Sequence, residues 1–346
     1  MKLYDISAVR EAVLPLLIHH GLPPADAAEI TDHLIEAELR GVTTHGLVRL
    51  IGYLKRFKCG VLNTRPVIKK ATAAGAVALL DGDCGSGQVV GVAAMDEALR
   101  LAEKYGVSFV GVRNSSHFGM AAYYAMMGLS KGMIGFVITN ASPRMVPTGG
   151  REKMIGNNPF AIAFPVDAGY PIVVDMALSV AAAGKIRNAS AKNEPIPADW
   201  ALDEDGLPTQ DPAKALRGFL LPIGGHKGYA LAVAFDLLAG VLTGAAFGPD
   251  IGSLDDLTRH QNVGHVFGAV KIDKFMPEEE YQARIARYVQ QIKSTKKSPG
   301  CKEIFLPGEQ EARRSERYRR EGIPLDDKLV REINDAGMKY NVATTL

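Results

Sequence analysis

The segment Arg40-Gly41-Val42-Thr43-Thr44-His45-Gly46-Leu47-Val48-Arg49 sets an imidazole and a guanidinium four residues apart. On a helix that spacing is one turn, so both side chains can reach one cleft. A 2-hydroxy acid needs such a pair: the guanidinium fork binds its carboxylate bidentately, and the imidazole takes the hydroxyl proton. A helix expected over Leu47–Phe57 places His45 at its start. The dipole there disfavours an imidazolium and would keep the ring neutral near pH 7, which tips the choice of proton acceptor slightly toward His45. A helix cap and a surface charge describe the same residues equally well, and this segment alone does not decide.

A second histidine, His117, lies in Asn114-Ser115-Ser116-His117-Phe118-Gly119, behind the apolar run Val107–Val112. Polar residues at a strand end commonly line clefts in α/β architectures. The plainer alternative is a turn that satisfies its own backbone. Gly224-Gly225-His226-Lys227-Gly228 offers glycines that let backbone N–H groups approach a phosphate, and a lysine that adds charge. It lacks the spacing and the Ser/Thr of a Walker loop, and a glycine-rich helix entry is the bland reading. Val77–Asp81 followed by Gly85-Ser86-Gly87 imitates a dinucleotide fingerprint, but the third glycine is Gly91 and the next strand ends in Arg113-Asn114, without an acidic ribose ligand. We read it as a turn that packs a helix on a sheet. His19, His20 and His33 fall on early helices, and His260 and His265 in or beside a loop; none is given a role. No H-E-x-x-H or carboxylate–histidine cluster points to a metal site.

These residues need a framework, and 346 residues with 47% apolar and 23% charged side chains can supply a substantial core in two or three domains. Forty basic side chains against 38 acidic ones leave a net charge of +2, which gives no reason to expect nucleic acid or an anionic membrane as partner. The three cysteines, Cys59, Cys84 and Cys301, are odd in number and not at metal-ligand spacing, so they read as reduced thiols of a cytoplasmic protein. The N-terminus MKLYDISAVR has no apolar signal core. The first sixty residues predict helices: one capped by Asp5 or Ser7 with Val9, Val13, Leu16 and Leu17 on one face and Gly21 behind it, a second opened by Pro23 and stopped by Gly41, and a third closed by Gly60. Short β-rich runs follow at Val77–Leu80, Val107–Val112, Ile134–Thr139, Ala161–Pro165 and Ile172–Met176, with a helix over Val92–Tyr105. Residues 188–218 read as a long surface excursion, 294–300 as a loop, and 312–322 as a solvated helix face. Tyr229–Gly248 is apolar on all sides but contains Asp236 and glycines; it is expected as a helix buried in a core or a subunit interface rather than a membrane span.

Taken together, the segments resemble the malate/L-lactate dehydrogenase family of the second type, which includes ureidoglycolate, sulfolactate and 2,3-diketogulonate oxidoreductases and cyclic-ketimine reductases. RGVTTHGLVR is similar to the family's RG-x-x-S-H-G-x-x-R, with Thr44 in place of serine, and VRNSSHFGMAAYYA, TNASPRMVPTGG, GNNPFAIAFP, VVDMA, GGHKGYALA and the late PGE follow in order over nearly the whole chain. The resemblance implies a helical N- and C-terminal region plus mixed α/β domains with a non-Rossmann nucleotide-binding sheet. The division expected is 1–75 with 310–346 helical, 76–119 with 226–309 central α/β, and 120–225 cofactor-binding. It implies His45 and His117 as proton-transfer candidates, Thr44 and Arg49 at the substrate, and Asn140, Ala141, Ser142, Asp175, Met176, Ala177, Lys227, Gly228, Pro307, Gly308 and Glu309 at the dinucleotide. It further implies NAD or NADP as cofactor, a 2-hydroxy acid and its 2-keto acid as substrates, and a homodimer. The rival is a non-catalytic nucleotide- or acid-binding protein on the same scaffold; the presence of both histidines, Arg49, Lys227 and Asp175 favours the enzyme.

Overall fold

The Asp5 carboxylate accepts the Ser7 N–H at 2.8 Å and so starts α1 (Ile6–His19), just after the short strand β1 (Lys2–Tyr4). The apolar stripe Val9, Val13, Leu16, Leu17 is fully buried. It packs on α2 (Pro24–Leu39) and on the chain's last helix, with α3 (Leu50–Lys58) alongside. The computed structural model describes all residues, 1–346.

The chain continues through β2 (Lys69–Ala74), β3 (Val77–Asp81), α4 (Gly87–Tyr105), β4 (Phe109–Ser115), α5 (Ala121–Met126), β5 (Met133–Thr139), β6 (Phe160–Phe164) and β7 (Ile172–Met176). A small insertion follows, made of α6 (Ala183–Lys192), β8 (Ala201–Leu202), α7 (Pro212–Arg217) and β9 (Phe219–Leu220). Then come α8 (His226–Asp236), β10 (Val263–Lys271), α9 (Glu278–Lys293), α10 (Glu309–Glu321), β11 (Ile323–Leu325) and α11 (Asp327–Tyr340). One mixed sheet in the order β2-β3-β4-β10-β5-β6-β7 forms the centre. Only β3 and β4 run parallel, joined by α4; every other pair is antiparallel. The fold is therefore mixed α/β with no doubly wound parallel sheet, as the motif pattern leads one to expect.

Three apolar clusters hold it. The first joins the N-terminal helices to α11 and β11, the second fills the space between sheet, α4 and α5, and the third lies under the 145–232 region. Residues 188–218 are thus more than a surface excursion: Ile186, Ile196, Ala201, Ala215 and Leu220 give them their own small core. The central strand β10 lies where sequence reading leaves a loop. Its glycines break the apolar run, and they are there because neighbours press on them: a Cβ on Gly264 would lie 1.7 Å from the Ala239 carbonyl oxygen. His265 is accordingly a buried strand residue, between Thr139 Oγ1 at 2.7 Å and Ser115 Oγ at 2.9 Å.

The Gly85-Ser86-Gly87 turn does enter a helix within a parallel βαβ unit, α4 beginning at Gly87 itself. The space over it is filled by protein. The Gly87 N–H donates to Ser116 Oγ at 2.9 Å, and a Cβ there would meet the carbonyl oxygens of Ser116 and His117 at 2.3 and 2.6 Å. Gly87 is not among the positive-φ glycines, so the constraint is close approach and not backbone conformation. Gly87→Ala is expected to lower stability by about 1–3 kcal/mol, the range for overpacking, while leaving the NADH dissociation constant within twofold. Loss of NADH binding at unchanged melting temperature would mean that a pyrophosphate sits at this turn after all.

Candidate active site

Separate pieces of chain meet around one cavity of about 120 Å³. The turns Thr43–His45 and Leu47–Arg49 form one wall; His117 and Phe118, just past β4, form a second; Ala141 and Ser142, past β5, lie opposite. Thr44, His45, Arg49, His117, Asn140, Ala141 and Ser142 are thereby brought together.

His45 is not at the start of a helix. It ends a separate 3-10 turn, and α3 begins only at Leu50. The dipole therefore does not explain its neutrality. Burial does, helped by the Arg49 charge, and together they lower its pKa to about 4. Its Nδ1 lies 3.0 Å from Thr44 Oγ1. The two imidazoles stack, with centroids 5.5 Å apart and planes 9° from parallel. Burial, then the neighbouring His45 and Arg49, hold His117 well below the ordinary histidine value.

The two rings differ in how they are held. His117 Nδ1 lies 2.7 Å from Tyr53 Oη, and its backbone N–H donates to Gln261 Oε1 at 3.1 Å. Burial pushes the Tyr53 phenol up to about 12, so it stays protonated. In the tautomer in which Nδ1–H donates to the Tyr53 oxygen, His117 presents its lone pair at Nε2, which has no partner within the protein. Arg49 Nε donates to the Thr44 carbonyl at 2.6 Å, which fixes the plane of the guanidinium and leaves both Nη groups unpaired. Buried Glu38 sets the turn between the two residues: it accepts the Leu47 N–H at 2.8 Å, and burial lifts its carboxyl to about 7.

The remaining dinucleotide candidates form a second group outside the cavity. Asp175 and Met176 end β7, and the Asp175 carboxylate accepts the Ala122 N–H at 3.2 Å; the surrounding protein raises it to about 6. The Val173 N–H donates to the Pro307 carbonyl at 2.9 Å, so residues 307–309 lie along the same strand. Just beyond Ala177, Leu178 accepts the Ile223 N–H at 2.9 Å, which brings up the Gly224–Gly228 segment. Gly224 and Gly225 have φ of +58° and +61° with open space at both Cβ positions, and Lys227 is exposed at the start of α8. That open, positively charged helix entry fits a phosphate-bearing group. Gly228 is buried, close against the Ile223 carbonyl. Two candidates are used up by the fold itself. The Glu309 carboxylate binds Lys293 at 2.7 Å, Arg313 and the Leu306 N–H. The Asn140 amide binds Asp236, the Ala246 carbonyl and the Gly264 N–H.

The family model for malate/L-lactate dehydrogenase matches residues 4–334. The chain belongs to the malate/L-lactate dehydrogenase family. It is 38% identical over 338 residues to a malate dehydrogenase of Pyrococcus abyssi, covering 95% of this chain and 92% of that one. It is 32% identical over 322 residues to an NAD(+) ureidoglycolate dehydrogenase of Escherichia coli, covering 92% of each. The sulfolactate dehydrogenase structure from Methanocaldococcus jannaschii superposes with a TM-score of 0.93 at 36% identity, covering 99% of this chain and 98% of that one. As a member of this family the chain is an oxidoreductase acting on hydroxy acids.

Sequence reading passed over Tyr53, Gln261, Arg144 and Arg187, which complete the site. Tyr53 had a signal: it stands one further turn after Arg49, on the same expected helix face. Arg144 lay within a quoted motif, TNASPR, without being singled out. Gln261 and Arg187 gave none, because long-range folding alone brings them to the cavity.

Proposed function

We propose that this dehydrogenase interconverts a small 2-hydroxy acid and its 2-keto acid with NAD as hydride partner, and that His117 is the group that moves the proton. One observation carries this: a neutral imidazole, anchored through Nδ1 by Tyr53, shares a small cavity with an Arg49 fork whose Nη groups are free. Arg49 holds the carboxylate of the acid and so fixes the C2 hydroxyl near the histidine pair. His117 Nε2 takes the hydroxyl proton in oxidation and returns it in reduction, while Nδ1–H keeps donating to Tyr53 in both states. His45, stacked beside it and held neutral by burial and Arg49, keeps a second positive charge away from the imidazolium. The nicotinamide, when bound, supplies the hydride acceptor that side chains lack.

Ala141 and Ser142 at the cavity, Asp175 to Ala177 on β7, Lys227 with Gly228, and the backbone at 307–308 are the residues we assign to NAD. The reading is tested by following NADH and NADPH oxidation against a panel of 2-keto acids, with NADH affinity by fluorescence in Lys227→Ala. The expected results are turnover with at least one acid and a roughly tenfold or greater loss of NADH affinity in the variant, the scale of one charge-assisted contact, with little change in melting temperature. Unaltered NADH binding in Lys227→Ala would remove α8 from the cofactor site.

We also propose a homodimer in the cytoplasm and the three-unit division given above. Tyr229–Gly248 holds most of α8 and a π turn, and of the two settings expected for it, a core or a subunit interface, the second suits its exposed apolar side chains Leu231, Leu237, Val241, Leu242 and Phe247. A second copy of the chain suits such a face, and sedimentation at a monomer mass near 37.1 kDa would refute it. The three free thiols support a reducing compartment. No helix is long and apolar enough to cross a membrane.

A further inference from the structure

Three polar residues of α3 and its entry, Arg49, Tyr53 and Arg56, stand at i, i+4 and i+7 and so share one stripe of the helix. The first two have tasks, at the carboxylate of the acid and at His117. Arg56 has none, yet no part of it is exposed. Its guanidinium is used on one side only. Nη1 donates to the carbonyl oxygens of Asp256, Leu254 and Ser253 at 2.6, 3.1 and 3.4 Å, while Nε and Nη2 are buried without a partner in the protein. A charge is costly to bury. What this one obtains is contact with a stretch of backbone 197 to 200 residues further along the chain.

That stretch belongs to residues 251–262, which form neither helix nor strand and run into β10. Two bonds close the neck of the loop. The Gly252 N–H donates to the Gln261 carbonyl at 3.0 Å, and Gln261 Nε2 donates to the Gly252 carbonyl at 3.2 Å. At the neck, Gln261 Oε1 accepts the His117 N–H. Beyond it, half-buried Leu254 lines the cavity of the two histidines and packs against the helical core. His260 Nδ1 donates to the Val61 carbonyl at 2.8 Å. Apart from that bond, the contacts of Arg56 are the only hydrogen bonds from residues 253–260 to the rest of the chain. A loop without ladder bonds of its own is held in place by such ties.

We propose that Arg56 is a positioning residue for the hydride-transfer site: it pins the 253–256 backbone so that Leu254 closes one wall of the cavity over the bound acid. This rests on the hydride-transfer reading above. One helix thereby sets three parts of the site in register, the guanidinium fork of Arg49, the Tyr53 anchor of His117 and the Leu254 wall. Without Arg56, three carbonyls lose their donor and the tip of the loop is free to leave. Water then reaches the acid and weakens its contact with Arg49, because charges attract less in a wetter site. His117 keeps Tyr53 and Gln261, both held outside the tip, so acid binding suffers more than proton transfer. A residue that merely stabilised the fold would instead lower the active fraction, and with it kcat, at an unchanged KM.

The test compares the wild type with Arg56→Met and Arg56→Lys. Steady-state kinetics use the best keto acid of the panel at saturating NADH. Calorimetric titration of oxamate, an unreactive isostere of pyruvate, in the presence of NADH and amide hydrogen exchange over residues 251–271 run in parallel. In Arg56→Met we expect the KM for the keto acid and the oxamate dissociation constant to rise roughly tenfold, with kcat and the KM for NADH within about threefold. Exchange should accelerate in residues 253–260 while β10 stays protected. Arg56→Lys should bring every reading back to within about threefold of wild type, because an ammonium offers three N–H groups to three carbonyls and the nitrogens it lacks have no partner to lose. An acid KM within about twofold of wild type in folded Arg56→Met overturns the proposal, and so does a fall in kcat alone. A lysine variant as impaired as the methionine one also overturns it, by placing the role on Nε and Nη2. If Arg56→Met does not fold, Leu254→Ala decides: the same rise in acid KM with Arg56 in place supports the wall, and an unchanged KM removes it. If the wild type turns over no keto acid, the hydride-transfer reading falls and oxamate decides. Weaker binding in Arg56→Met, recovered in Arg56→Lys, leaves the role of Arg56 standing; equal binding in all three removes it.

Discussion

Replacing His117 by alanine is expected to lower kcat by roughly two to four orders of magnitude, the usual scale for a lost acid–base group. The variant should still bind NADH, because His117 is apart from the Lys227 and β7 segments. His45→Ala should cost less, since His45 Nδ1 is held only by its sequence neighbour Thr44 Oγ1 at 3.0 Å, whereas His117 Nδ1 is anchored by the fully buried Tyr53 phenol at 2.7 Å. Tyr53→Phe provides the control: it leaves the imidazole in place without its anchor, and kcat should fall while the KM for the acid holds. The pH profile is a further readout. The free-enzyme pKa of His117 is depressed by burial and by His45 and Arg49. A base with a depressed pKa remains unprotonated until pH falls through that lower value. In the oxidation direction kcat/KM should therefore stay level as pH falls from 8 through 6.5 and decline only below. A decline centred on 6.5 would contradict a depressed base of either kind, whereas near-normal kcat in His117→Ala with a collapse in His45→Ala would transfer the role to His45.

Arg49→Lys should raise the KM for the keto acid by roughly ten- to a hundredfold although the charge is kept, because an ammonium cannot make the bidentate fork. Arg49 spends Nε on the Thr44 carbonyl at 2.6 Å and so presents its Nη edge in a fixed plane. A lysine has one nitrogen for both tasks. The cofactor dissociation constant should not move, which separates a lost carboxylate contact from general damage to the site. A KM within twofold of wild type would take Arg49 out of substrate binding.

The helical start of the chain was legible because it is a local matter. Asp5 caps its own helix, Val9 to Leu17 follow the 3.6-residue period, and glycines close each segment. Strands β3 to β7 were legible for the same reason, as short β-rich runs, whereas the exposed edge strand β2, Lys69–Ala74, carries no apolar pattern to find. The middle strand β10 was not, because Gly264 and Gly268 dilute its run, and the neighbours that require them, Ala239 and Phe136, come from distant parts of the chain. The insertion was read as surface because its core is assembled from Met145, Ile186 and Leu220, far apart in sequence.

The same division holds at the site. The sequence by itself determined which residue types and spacings were available: His45 with Arg49, a second histidine at a strand end, and a glycine–lysine helix entry. It also determined the family to which they belong. Only the tertiary structure decided what surrounds them. It placed His117 on Tyr53, filled the Gly87 turn with the Ser116–His117 backbone, moved the cause of His45 neutrality from a helix dipole to burial, and gathered Arg144 and Arg187 beside Arg49. The physical reason is range. Caps, periodicity and turn chemistry act between residues a few positions apart, whereas desolvation, ring contacts and converging charges depend on neighbours that only the folded chain brings within a few ångströms.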